Sequence, residues 1–157
     1  MKKLLRYVIS VIIALGVGGL SALIVGDSTK IYGELLLPPL APPSWLFPVT
    51  WSILYVLMGI TAAMIYGKRR EMPKRVSDAL YSYAISLVVN FSWSIFFFRF
   101  GSFLFAFIWL LFLLFTVCRT AVEYGRISKA AEYLQLPYII WLLFAGYLNL
   151  GVVILNR

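Results

Sequence analysis

The 157-residue chain contains no histidine, a single cysteine and only six acidic residues. Without histidine, an imidazole-ligated haem, a zinc hydrolase centre and a histidine general acid or base are excluded. Cys118 lies inside an apolar run, so there is no disulfide framework and no cysteine metal site, and no metal is expected. The acidic residues avoid the middles of the apolar runs, with Asp78 and Glu123 near run ends, which disfavours a carboxylate proton relay or ion path. No phosphate-cradling glycine loop is visible, which argues against an ATP-driven pump.

What is present is apolar surface. Hydrophobic residues make up 62% of the chain and the mean hydropathy is +0.93, more than a soluble domain of this length can hide. Apolar runs at about residues 4–25, 47–66, 76–98, 102–124 and 134–155 are each long enough for a ~30 Å hydrocarbon core. The fold class expected is all-α: one domain, residues 1–157, built as a bundle of five transmembrane helices, with a lid loop at 26–46. The first run follows Lys2, Lys3 and Arg6 but is too long for a signal peptide and lacks a small-x-small cleavage site, so it counts as the first span.

Charge sets the orientation. Lys2, Lys3, Arg6, Lys68, Arg69, Arg70, Lys74, Arg75, Arg119, Arg126 and Lys129 fall on one side of a five-span chain, and only Lys30, Arg99 and Arg157 on the other. The positive-inside rule then places the amino terminus in the cytoplasm and the carboxyl terminus outside. The basic residues sit in short loops with no separate module to present them, so nucleic acid is not an expected partner. No targeting extension precedes the first span, so the expected location is a prokaryotic cell membrane.

The segment from Pro38 to Trp51 joins loop to span. Pro38, Pro39, Pro42 and Pro43 remove N–H donors and force extended neighbours, which makes a stiff lid. In the first span Ala14, Gly18, Ala22 and Gly26 recur every fourth residue, a bare face suited to close helix packing or to a homodimer seam. In the third, Ser82, Ser86, Asn90 and Ser94 form a polar stripe that should face protein or a cavity. Helical spacing aligns Trp51, Tyr55 and Gly59 in the second span, brings Asn90 and Trp93 near each other in the third, and aligns Trp141, Ala145 and Asn149 in the fifth. Aromatic walls, two amides and small residues would suit a flat, mostly apolar ligand with a few polar atoms; helix packing and interfacial belts are the competing use of such aromatics. Trp45 and Trp109 are assigned to that competing use.

Three ordered motifs resemble the translocator protein family, also called tryptophan-rich sensory proteins or peripheral-type benzodiazepine receptors. They are the loop with Tyr32, Leu35, Pro38, Pro42 and Pro43 followed by Trp51, Leu54, Tyr55, Met58 and Gly59; the run Asn90, Trp93, Ser94, Phe97, Phe98; and the run Pro137, Tyr138, Trp141, Phe144, Ala145, Leu148, Asn149. The resemblance implies a five-helix bundle, commonly a homodimer, whose lidded pocket binds protoporphyrin-type tetrapyrroles and synthetic aromatic ligands. It implies a ligand set of Tyr32, Pro42, Trp51, Asn90, Trp93, Trp141, Ala145 and Asn149. It also implies light-dependent porphyrin breakdown, with Trp51 and Trp141 as the photochemical residues. No cofactor is required; the tetrapyrrole is a ligand, and membrane lipid is the surrounding partner. Departures occur at Ile31, Leu37 and Leu40, where the family usually has tryptophan, lysine and an aromatic residue, so Lys30 or Arg99 would have to serve a propionate. Tyr147 has no following basic residue within reach, so the proposed sterol motif is not met. The alternatives are a porphyrin or lipid transporter, for which no energy-coupling group is visible, and a scaffold or sensor read by a protein partner through Lys68 to Arg75.

Overall fold

The computed structural model describes residues 2–26 and 30–156; Asp27 to Thr29 of the expected lid, and Arg157 of the charge count, lie outside the described residues. Five helices are long and apolar enough to cross a membrane, and no strand occurs among the described residues. The long elements are α1 (Lys2–Val25), α3 (Leu46–Tyr66), α4 (Pro73–Ser94), α5 (Phe103–Gly125) and α7 (Leu136–Leu155). Two short helices interrupt the connections, α2 (Ile31–Glu34) within the lid and α6 (Lys129–Tyr133) before α7.

Local chemistry sets several boundaries. Pro73 opens α4, where a missing N–H costs nothing, and the Ser128 hydroxyl caps α6 by accepting from Ala131 N–H at 3.4 Å. The sequence suggests a plain helix to residue 98. Instead α4 passes into a π-helical segment, Ile95–Arg99, that ends in the Gly101 turn, with φ of +60°. Such wider turns recur at functional sites because they re-aim side chains; here Phe97 faces the α5 and α7 side and Phe98 reaches the α1 side.

α1 packs chiefly on α3, α4 on α5, and α5 on α7. Short links do not make every sequential pair a tight one: α3 and α4 touch sparingly, because Trp51, Tyr55 and Trp93 hold them apart. The two faces where α1 meets α3 are nearly bare. A Cβ on Gly59 would stand 2.5 Å from the Val11 Cα, and one on Gly18 would stand 2.3 Å from the Tyr55 ring. The small residues of α1 therefore serve packing inside the chain at Ala14, which is fully buried, and Gly18; Gly59 makes room for α1 and not for a ligand. The serine stripe faces inwards as expected, with Ser82, Ser86 and Asn90 buried.

Candidate functional site

At the core of the bundle the Tyr55 hydroxyl donates to Asn90 Oδ1 at 2.9 Å, and Asn90 Nδ2 donates to the Tyr138 hydroxyl. One amide thus ties α3, α4 and α7 together at a residue only 1% exposed. Nearer the lid, Trp93 Nε1 donates to Asn149 Oδ1 at 3.4 Å and Asn149 Nδ2 donates to the Phe103 carbonyl at 2.9 Å. The amides expected to meet a ligand are engaged within the protein, as buried polar groups must be.

The indoles converge, and Trp51 is the hub. Its ring centroid lies 6.0 Å from Tyr55, 6.1 Å from Tyr138, 6.3 Å from Trp93 and 6.5 Å from Trp141. The space among the predicted rings is largely filled by the rings themselves: the hollow shared by Tyr32, Trp93, Ala145 and Asn149 has about 20 Å³. The open cavity lies on the other face of Trp51, towards α1, with a volume of about 420 Å³. Gly18, Ser21, Ala22 and Val25 form one wall; Phe47, Pro48, Trp51 and Tyr55 form the second; Ser94 and Phe98 close the back.

The expectation of a single cavity lined from the second, third and fifth spans is thereby corrected. Large rings on α3 and α7 interlock, whereas α1 offers mostly small residues, and the cavity remains between it and α3 on the lid side of the Gly18–Tyr55 contact. Of the predicted ligand residues Trp51 lines the open cavity, Tyr32, Trp93, Ala145 and Asn149 line the small one, and Pro42 shares an outer groove of the lid with Tyr32. Asn90 and Trp141 line neither cavity. Trp141 is half-buried against Phe47 and Trp51, and its indole N–H is buried with no hydrogen-bond partner.

Trp45 and Trp109, assigned to helix packing or interfacial belts, take positions of that kind. Trp45 is 63% exposed, and it also stands at the rim of the open cavity. Trp109 is held to α4 through Nε1, which donates to Ser92 Oγ at 2.8 Å. The α1 wall itself was missed as ligand-lining; its only sequence signal was the four-residue repeat of small residues.

The lid is tied to α7. Asn156 Oδ1 accepts from Leu36 N–H and its Nδ2 donates to the Leu36 carbonyl, both at 2.9 Å. The Tyr147 hydroxyl donates to the Pro39 carbonyl at 2.7 Å, and Gly151 leaves room for the Pro38 ring. Within the lid the Tyr32 phenol donates to the Pro42 carbonyl at 3.1 Å, and burial pushes its pKa above the usual tyrosine value. Arg99 Nη1 donates to the Ile24 carbonyl at 2.9 Å, joining the π-helical end of α4 to the last turn of α1.

A volume of about 420 Å³ is typical of small-molecule pockets. The cavity is open on one side, so it is filled from its surroundings and is not an enclosed void. Its lining is mainly apolar, with Lys30 and Ser44 at the mouth, so water is a poor filler and a flat apolar molecule a good one.

Residues 8–155 match the model of the TspO/MBR family. The chain is 36% identical over 128 residues to the tryptophan-rich protein TspO of Chlorobaculum tepidum, covering 80% of this chain and 78% of that one. It is 32% identical to the tryptophan-rich protein TspO of Archaeoglobus fulgidus across 98% of this chain and 99% of the relative. Identity to the translocator protein of Bos taurus is 33%, covering 79% of this chain and 73% of that protein.

Proposed function

The chain belongs to the TspO/MBR family of membrane proteins, and from that premise and the geometry above we propose that it is an intramembrane receptor for tetrapyrroles of the protoporphyrin type. The observation that carries the reading is Trp51, a single indole that faces an open apolar cavity on one side and packs, tilted or edge-on, into a cluster of tryptophans and tyrosines on the other. A flat ring system entering between α1 and α3 would lie along Trp51 and Phe98, with an acidic substituent towards Lys30 at the mouth. Asn90 and Asn149 act from behind, fixing Tyr55 and Trp93, and do not contact the ligand. A whole macrocycle needs more room than a narrow cleft gives, so binding includes an outward swing of Trp45 or of the lid.

Under illumination Trp51 would give an electron to the excited ring and regain one from Trp141, 6.5 Å away. Dissolved dioxygen would take the electron from the reduced ring and serve as the oxidant for its breakdown. The protein's part is to hold the ligand and exclude water; the photochemistry is the ligand's. Titration with protoporphyrin in darkness and in light tests both halves. Wild type should bind in darkness and bleach in light. Trp51→Phe should lose affinity as well as bleaching, while Trp141→Phe should bind normally and bleach slowly. A wild-type protein that neither binds nor bleaches protoporphyrin removes the reading.

A further inference from the structure

The open cavity has a depth that the tetrapyrrole reading does not explain. On α3 it extends from Trp45 to Tyr55, roughly 15 Å at 1.5 Å per residue. That is about half of a ~30 Å hydrocarbon core, the thickness of one leaflet. The floor is fixed by the Gly18–Tyr55 contact, on the lid side of which the cavity lies. Ala22 on α1 and Pro48 on α3 both line the cavity and are both exposed, so it opens outwards between these two helices. In a five-span protein that opening faces the lid-side leaflet. At its top stand exposed Lys30 and Trp45, a cation and an amphipathic ring at the depth where lipid head groups lie.

We propose that the α1–α3 cleft is a binding site for an anionic phospholipid of the lid-side leaflet, one acyl chain lying in the cleft down to Tyr55 and the phosphate held near Lys30. Several features fit a chain in place of a second protein. The lining is mainly apolar, its length matches one leaflet, and among the described residues the charged lining residue, Lys30, is at the interface end. The small residues Gly18 and Ala22 leave one wall smooth, which a flexible chain can follow without matching any particular shape. A resident lipid chain also answers how a hollow open to hydrocarbon is filled, and an entering ring system would have to displace it.

The lipid and the tetrapyrrole would compete for one cavity, but the lipid proposal does not rest on tetrapyrrole binding and its test needs no porphyrin. The full chain is reconstituted in phosphatidylcholine vesicles containing increasing amounts of phosphatidylglycerol brominated on one chain, and tryptophan emission is recorded. The Trp51 contribution is taken as the difference between wild type and Trp51→Phe. Bromine in the upper half of the chain should quench that contribution, and bromine near the methyl end should quench it less. Ala22→Phe plugs the cleft from an exposed position and should protect Trp51, whereas Ile108→Phe, on the exposed face of α5, should not. Lys30→Gln should raise the half-saturating fraction of the brominated phosphatidylglycerol about fivefold, the effect of one interfacial cation. Quenching of Trp51 that is absent, or identical in Ala22→Phe and Ile108→Phe, overturns the site. An unchanged half-saturation in Lys30→Gln overturns the head-group assignment. Thermal melting of each variant verifies that the bundle is intact.

Discussion

The two faces of Trp51 are built on opposite principles. Towards α7 the rings of Trp93, Tyr138 and Trp141 interlock, and amides at Asn90 and Asn149 pin their neighbours by hydrogen bonds that cross three helices. Towards α1 there are mostly small residues, a close helix contact at Gly18 and Gly59, and then an open cleft. Filling with aromatics makes a rigid wall and leaves about 20 Å³; filling with alanine and glycine brings backbones together at one level and leaves about 420 Å³ at the next. A receptor needs both, since a ring ligand must lie against something that does not move and enter through something that does.

The sharpest way to break the contrast is to push α1 away. In Gly59→Leu the new Cβ would meet the Val11 backbone, which cannot yield as a side-chain tip can. A loss of about 3 kcal/mol is expected, seen as a fall in melting temperature in detergent, together with loss of ligand binding in the cleft. On the rigid face the equivalent test is Asn90→Leu. It leaves the Tyr55 and Tyr138 hydroxyls buried without their shared partner, at a cost of about 2 kcal/mol. Because Tyr55 is the cavity floor, ligand affinity should fall too. Asn90→Gln, which keeps the donor and acceptor but displaces them, should lie between.

How much of this was written in the sequence differs for the two faces. Aromatic residues at helical spacing announced the rigid face, because Trp51, Trp93 and Trp141 are large, few and each aligned with a polar or small neighbour. Their convergence follows from periodicity once five spans are recognised. What periodicity cannot supply is volume: whether rings that meet enclose space or exclude it depends on interhelical distance. That distance is set by contacts such as Gly59 on the Val11 backbone, where no side chain is there to read. The lid's stiffness was legible from its prolines, but not its tether to Asn156, a residue that the apolar run ending at 155 leaves outside the span. The π-helical turn was equally invisible, since Ile95 to Arg99 reads as ordinary helix.

The tether offers a smaller and cleaner comparison of the lid with the bundle beneath it. Asn156→Ala removes two hydrogen bonds to the Leu36 backbone and should cost about 1 kcal/mol, with faster ligand exchange and little change in helix content. Tyr32 supplies a pH-dependent counterpart. Its phenol donates to the Pro42 carbonyl only while protonated, and burial raises its pKa above the ordinary value of 10.0. The stabilisation is therefore present below that ordinary value and lost as pH rises through the higher folded-state pKa. Ligand release measured across this alkaline range should quicken in wild type and show less of that pH response in Tyr32→Phe, which has lost the tether at every pH.

The smallest effect expected has the opposite sign. Leu40 follows Pro38 and Pro39 in a turn closed by the Ala41 N–H on the Pro38 carbonyl at 3.2 Å, and it carries a φ of 66°. That left-handed conformation suits glycine at the third position of such a turn and strains a leucine. The leucine side chain is 84% exposed, so deleting it removes little packing. Leu40→Gly should accordingly relieve strain, offset in part by the greater freedom of glycine in the unfolded chain, for a net gain of about 0.5 kcal/mol. The lid would then hold its closed form for longer, so ligand dissociation should slow by about twofold while the Asn90 and Gly59 variants retain their full defects. A lid that opens faster in Leu40→Gly would mean that the leucine side chain itself, embedded at the membrane surface, anchors the loop.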